Sequence, residues 1–294
     1  VKRASSLRQR KFREREGAFL VEGADLVAAG LAAGHRPQVV FVRAARALEL
    51  SARLGLSAEG GPAADGAHAA PPVVYPVAER VAAKISTLET PPDVMAVFPL
   101  PERRALTTLP GTGGAPGAGA SPGAPGGALV VYADGIGDPG NMGTLLRAAV
   151  AFGATALATA PGSADLYGPK TVRAGMGAVF GLPLFPEVRL ADVLAALPGA
   201  AVDGLAAHEG VPLAAAALRR PAVLVVGAER PGLSPEALAH VTRLITIPLA
   251  PGRPGGVESL NAGVAGAIAL YEFSRRLAGG ADDSPGVRPA PQEG

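Results

Sequence analysis

The 294-residue chain contains no cysteine and no tryptophan, and aromatic residues make up only 4% of it. Without a thiol there is no disulfide, no thiolate zinc site and no mechanism in which a cysteine attacks a substrate base. The sequence is therefore read as that of a cytoplasmic protein. Long apolar runs are missing too: no stretch of about 18 uninterrupted apolar residues occurs. The opening VKRASSLRQRKFRERE has no apolar core behind its charges, so neither export nor membrane spanning is expected. Lysine is scarce, with four against twenty-three arginines in a chain holding 40 Gly and 29 Pro. Such a bias is what a GC-rich genome produces, so the glycine and proline counts alone carry no functional information.

What is present begins with length, which is enough for two domains that each bury a core. The overall charge is only +2, yet residues 1–16 hold seven cations (Lys2, Arg3, Arg8, Arg10, Lys11, Arg13 and Arg15) against Glu14 and Glu16. A basic arm of this kind reads either as a foothold for a polyanion or as a solvated, frayed terminus. Residues 102–127 include GTGGAPGAGASPGAPGG, which has no apolar periodicity and too little bulk to bury, and they read as a flexible linker. Before the linker, apolar runs at 18–21, 38–42 and 73–77 alternate with the helical ADLVAAGLAA, ARALELSARLG and AERVAAKIS, the pattern of a small α/β domain. The loop from Ala58 to Pro72 is Gly- and Ala-rich. After the linker come stronger strands at 128–134, 155–160, 222–227 and 244–249, each leading into a helical segment or a Gly-rich turn; this predicts a largely parallel sheet covered by helices. The division is thus 1–101, a linker at 102–127, a second domain at 128–278, and a tail at 279–294 that lacks any packing face.

Three loops in the second domain have the residue types that chemistry needs. The first, Gly135-Ile136-Gly137-Asp138-Pro139-Gly140, is formally a GxGxxG between strand and helix. A dinucleotide fold also requires an acid at the end of the next strand, but TALATA runs into Pro161 and Gly162, which weakens an oxidoreductase reading. Asn141 follows as a helix cap or a functional amide. Arg147, in a mostly apolar helical segment, requires either an anionic partner or solvent. In the second loop, GAERPGLSPE, Ser234 and Pro235 read as cap and first helical residue. Gly227 and Gly232 suggest close approach of a ligand to backbone, and Glu229 is either a salt-bridge partner or a site residue. The third runs from Ile247-Pro248-Leu249 to Glu258-Ser259-Leu260-Asn261 and into AGVAGAIALYEF, whose Gly263, Gly266 and Ala267 form a stripe for close packing. Ser259 and Asn261 are candidate caps of that helix.

Taken together, DGIGDPGNMGTLLRAAVAFGA, GAERPGLSPE and IPL…ESLNAGVAGAIALYEF resemble, in order and spacing, the three motifs of the SpoU, or TrmH-like, branch of the SPOUT RNA methyltransferases. The intervening GSADLYGPKTVRAGMGAVFGLPL is similar as well, so the likeness spans 128–276. REREGAFLVEGADLV and ISTLETPPDVMAVF resemble the RNA substrate-binding domain often fused ahead of that unit. The resemblance implies an α/β trefoil-knot catalytic domain after a small α/β substrate-binding domain, and a homodimer sharing its active sites. It also implies S-adenosyl-L-methionine as cofactor and structured RNA as substrate, methylated on a ribose 2′-hydroxyl, with ribosomal RNA preferred to tRNA and no metal. By motif position, Asn141, Arg147, Glu229, Ser259 and Asn261 are the implied catalytic residues, and Gly227, Ile247 and Leu260 the implied cofactor-binding ones. Two departures border that pocket: Arg230-Pro231, where many relatives have a glycine and a variable residue, and a longer loop at 250–257. A non-catalytic RNA-binding protein of the same fold and an oxidoreductase are the competing readings; the first predicts RNA binding without turnover, the second nicotinamide binding without affinity for S-adenosylmethionine.

Overall fold

The computed structural model describes residues 1–56, 72–109, 127–250 and 258–277. Most of the 58–72 loop, most of the linker, residues 251–257 and the tail lie outside the described residues.

The first domain contains α1 (Lys2–Ser6), α2 (Arg10–Glu16), β1 (Ala18–Glu22), α3 (Ala24–Ala32), β2 (Val39–Arg43), α4 (Ala47–Arg53), β3 (Val73–Val77), α5 (Glu79–Ile85) and β4 (Val94–Pro99). Its sheet runs β1-β4-β2-β3, antiparallel except for the parallel β2–β3 edge. Both faces are covered. Leu20, Phe41, Met95 and Val97 pack under Ala4 and Leu7 of the N-terminal segment and Ala82 and Ile85 of α5. Phe19, Val21, Val40, Val42 and Phe98 face the opposite way and join a core continuous with the second domain.

The basic arm is not a frayed terminus, because it is folded. Ala4 and Leu7 are buried. Arg8 donates to the carbonyls of Lys84, Ile85 and Ser86, capping the end of α5. Arg3 pairs with Glu16, Arg10 with Glu14 and Glu187, and the buried Arg13 with Asp165. Arg15 pairs with Glu16 and lies over the Phe12 ring. Most of the cations that sequence assigned to a polyanion are thus engaged internally.

The second domain contains β5 (Leu129–Asp134), α6 (Pro139–Ala151), β6 (Ala156–Thr159), α7 (Pro169–Ala174), β7 (Leu184–Phe185), α8 (Leu190–Ala196), β8 (Ala201–Ala206), β9 (Val211–Pro212), β10 (Ala222–Gly227), α9 (Pro235–Leu238), β11 (Arg243–Thr246) and α10 (Ala262–Leu277). Its seven strands are all parallel, in the order β7-β6-β5-β10-β8-β11-β9. Helices cover both faces, so β5 and β10 read as continuous apolar runs. Leu129, Val131, Leu224 and Val226 pack toward α6 and α10; Val130, Tyr132, Val223 and Val225 pack toward α8. Residues 102–109 are not free linker: Leu106–Thr108 form a 3-10 turn, and Leu109 is buried in the α8-side core.

Two features of the topology position the site. β11 stops at Thr246, short of the expected Leu249, because β8 ends at Ala206 and Pro248 has no N–H to donate. Beyond it the chain must return from the far side of β8 to α10, which lies against α6. That helix pair is close because a Cβ on Gly266 would meet Leu145 Cδ1 at 2.4 Å, and one on Gly263 would meet the Asn141 carbonyl oxygen at 2.9 Å. The small-residue stripe thus packs on a helix.

If the arm is part of the core, Leu7→Ala should lower the unfolding free energy by about 2–4 kcal/mol, while Lys2→Ala should change it by less than about 0.5 kcal/mol. Urea denaturation of both variants checks this; equal, negligible effects would restore the frayed-arm reading.

Candidate active site

α6 starts at Pro139, whose missing N–H costs nothing at the first helical position. Its cap is Asp138, which accepts the Asn141 N–H at 2.9 Å; Asn141 is therefore the third residue of the helix and not its cap. That bond, with Lys170 at 3.5 Å adding to it, holds the Asp138 carboxyl below the ordinary carboxylate range. The cap leaves the Asn141 side chain free for tertiary contact. At the end of β10, Ala228 and Gly232 exchange N–H···O bonds of 3.0 and 2.9 Å across a tight loop whose exposed tip is Arg230-Pro231. Gly227 has to be glycine for this loop to close: a Cβ there would lie 2.4 Å from the Gly232 carbonyl. Gly232 takes φ +71°.

Three of the expected catalytic residues meet here. Asn141 Nδ2 donates to Glu229 Oε1, Asn261 Nδ2 donates to the same oxygen at 3.0 Å, and Asn261 Nδ2 also donates to Asn141 Oδ1 at 2.6 Å. An ionised carboxylate has only acceptors, so it forces both amides to present their NH2 groups to it. Asn261 Oδ1 accepts the Val264 N–H at 3.1 Å, so Asn261 is also the cap that sequence allowed. Ser259 shares with Glu229 the wall of an open cleft. The same cleft is lined by Gly227, Ile247 and Leu260, with Leu205, Val226 and Leu249 completing an apolar floor, and Glu229 at its polar side. All three residues expected to bind cofactor therefore share one cavity at the carboxyl ends of β8, β10 and β11.

Arg147 is not brought into this cluster. Six positions after Asn141, it lies about 9 Å farther along α6 and roughly 120° around it. It is exposed and has no hydrogen bond or ion pair to the described residues. Val150 on α6, one turn beyond Arg147, and Val264, Ile268 and Tyr271 on α10 are 37–52% exposed. The alternative of an internal salt bridge is thus excluded among the described residues.

One structural contributor was not anticipated. Asp134, buried at the end of β5, accepts the Ser234 N–H at 2.6 Å and its hydroxyl at 3.1 Å. Ser234 in turn caps α9 by accepting from the Ala237 N–H, as sequence expected. Asp134 therefore ties down the loop that carries Glu229. No local signal distinguishes it, since its partner is a hundred residues away. The glycines of the GxGxxG-like turn serve the backbone: Gly135 takes φ +72°, and a Cβ on Gly140 would lie 2.8 Å from the Asp138 carboxylate that caps α6.

Comparisons with known proteins bear on this geometry. A family model described as the SpoU rRNA methylase family matches residues 128–271, and one described as the MRM3-like substrate binding domain matches residues 1–96. The chain is 35% identical, at a TM-score of 0.71, to a Porphyromonas gingivalis structure assigned to the TrmH family of RNA methyltransferases, covering 94% of this chain and 96% of that one. It is 25% identical, with TM-score 0.75 and 95% and 98% coverage, to the SpoU methyltransferase AviRb from Streptomyces viridochromogenes in complex with AdoMet. It is 27% identical to the 23S rRNA (guanosine(2553)-2'-O)-methyltransferase RlmP of Bacillus subtilis, over 93% of this chain and 95% of that one.

Asp134→Ala should free the 228–232 loop by removing a charged acceptor worth about 1.5–3 kcal/mol. Amide exchange at Ala228 and Gly232 should then accelerate by roughly ten- to a hundredfold, with β5 itself still protected. Unchanged exchange in the loop would show that the Ala228–Gly232 pairing suffices without Asp134.

Proposed function

This chain belongs to the SpoU, or TrmH-like, family of RNA methyltransferases, and from that premise we propose that it uses S-adenosylmethionine to methylate a ribose 2′-hydroxyl of ribosomal RNA. The observation that carries the reading is the convergence of Asn141 and Asn261 on Glu229, which itself lines the cleft. The cleft suits this cofactor: apolar side chains and β-strand ends offer a slot for an adenine ring, and Glu229 sets a carboxylate near a cationic group. Gly227, Ile247, Leu260 and Ser259 are the residues that would hold it. When bound, the cofactor supplies a methyl group made electrophilic by sulfonium.

The residues then have three tasks: to align the hydroxyl, exclude water and manage one proton. Glu229 fixes the two amides, and through them Asn141 retains one N–H and one carbonyl lone pair for the ribose. Transfer of that methyl to the ribose oxygen would release the hydroxyl proton to solvent or to the adjacent phosphate, and the protein's part is to hold the oxygen in line for it. Arg147 acts as a cation, because a guanidinium is a poor base. It stabilises developing alkoxide and the neighbouring phosphate.

Arg147 reaches a site in a homodimer. The support is twofold: Arg147 is exposed on α6 with no partner among the described residues, and α10, which packs against α6, carries Val264, Ile268 and Tyr271 exposed. In this arrangement each Arg147 serves the partner's Asn141 cluster. The passage of the chain from β11 back to α10 supports the knotted topology of the catalytic domain.

Two experiments test the reading. Radiolabelled methyl from S-adenosylmethionine, offered with bacterial rRNA and separately with tRNA, should appear as a 2′-O-methylated nucleoside from rRNA; cofactor binding without incorporation into either free RNA or assembled ribosomal particles would favour the non-catalytic RNA binder. Arg147→Ala and Asn141→Ala should each abolish transfer while binding cofactor. If Arg147 acts across the dimer, equimolar co-assembly of the two dead variants should restore about a quarter of wild-type activity, one intact site in each mixed dimer. No restoration would place Arg147 in its own subunit's site or outside the mechanism.

A further inference from the structure

Three segments singled out by sequence, REREGAFLVEG, ISTLET and DLYGPKTVRAG, play no part in the cluster described above. They meet at the boundary between the two domains. Glu22 of β1 is 3% exposed. Its carboxylate accepts from the Ser86 hydroxyl at 2.6 Å, the Thr87 N–H at 2.7 Å, the Thr87 hydroxyl and, from the other domain, Arg173 Nη1 at 2.7 Å. Arg173 Nη1 also donates to Thr87 Oγ1 at 2.6 Å. A second pair crosses the same boundary: Arg13, 4% exposed and donating to the Leu7 and Arg8 carbonyls, pairs with Asp165 of the segment leading to α7. Between the two pairs lies an aromatic seam in which Phe19 and Phe98 of the first domain face Tyr167 and Phe180 of the second at centroid distances of 4.9–5.8 Å.

Domains of one chain move relative to each other by default unless their interface is large and apolar. Here the apolar core is continuous, and two charge pairs cross the same boundary, each with one buried member, Arg13 or Glu22, that breakage would leave without its partner. The far end of the connection is catalytic. Arg173 sits on α7, and α7 abuts α6 so closely that a Cβ on Gly143, two residues from Asn141, would meet Ala174 Cβ at 2.5 Å. We propose that Arg173–Glu22 and Arg13–Asp165 are positioning pairs that lock the first domain to the Asn141 helix, so that the fixed span between RNA-docking domain and active site selects which ribose is methylated. This inference rests on the methyltransferase reading above.

The cysteine-free chain makes the test direct. Spin labels on Leu48→Cys and Leu238→Cys, exposed positions in the first and second domains, report the interdomain distance. In wild type the distribution should be narrow. In Arg173→Met/Asp165→Asn it should broaden, cofactor affinity should stay within about twofold, and kcat/KM at the native nucleotide should fall by about tenfold or more as methyl spreads to neighbouring riboses. Arg173→Lys, which keeps the charge, should restore much of the selectivity, and this also serves should the double variant not fold. An unbroadened distribution overturns the lock, and a broadened one with a single methylated nucleotide at wild-type kcat/KM overturns its role in selection. If wild type itself methylates no RNA, the functional reading fails, while the distance measurement still decides whether the domains are locked.

Discussion

The site depends on one carboxylate. Glu229 Oε1 is the common acceptor for amides from α6 and from the start of α10, segments 88 and 32 residues away in the chain. It takes an NH2 hydrogen from each amide, while the Val264 N–H holds the Asn261 carbonyl and Asn261 in turn donates to the Asn141 carbonyl, so the carboxylate and the helix cap together set which way both amides face. The rest of the second domain can be understood as what holds this oxygen in place: Asp134 and Ser234 anchor its loop, Gly227 lets that loop fold over the strand end, and Gly263 and Gly266 bring α10 onto α6. Each of these is a packing or hydrogen-bonding requirement, and each serves the alignment on which a displacement reaction depends.

The seam between the domains applies the same logic on a larger scale. Gly30 illustrates it: a Cβ there would lie 2.8 Å from Phe98 and 2.9 Å from Phe180, so α3 can approach the second domain only without a side chain. The folded N-terminal segment contributes Arg13 to this seam and Leu7 to the core behind it. Five of the arm's seven cations, Arg3, Arg8, Arg10, Arg13 and Arg15, are therefore engaged within the fold.

Much of this was legible in the sequence, and the omissions have definite causes. Strands buried on both faces, such as β5 and β10, announce themselves as unbroken apolar runs. β8 did not, although it lies inside the sheet, because Asp203 and Gly204 interrupt it. Asp203 is fully buried, with burial pushing its carboxyl up against the pull of Arg243 at 2.7 Å. Gly204 is required because a Cβ would lie 2.7 Å from Leu233. Both demands come from β11 and the α9 region, which local pattern cannot see. β4 was likewise missed, between a proline pair and the linker. At the site, motif order located Asn141, Glu229, Ser259 and Asn261 in one place and Gly227, Ile247 and Leu260 in one cleft. What no motif reveals is that Arg147 points away from its own cluster, since that depends on the angle between residues 141 and 147 on a helix whose packing face is set by α10.

The most direct test of the central claim is a double-mutant cycle of Glu229→Gln and Asn141→Ala in single-turnover methyl transfer. If Glu229 acts by fixing Asn141, the double variant should be no slower than the slower single one, a coupling of about 1–3 kcal/mol. Strictly additive losses would mean that the two residues act independently, and that the shared hydrogen bond is incidental to catalysis.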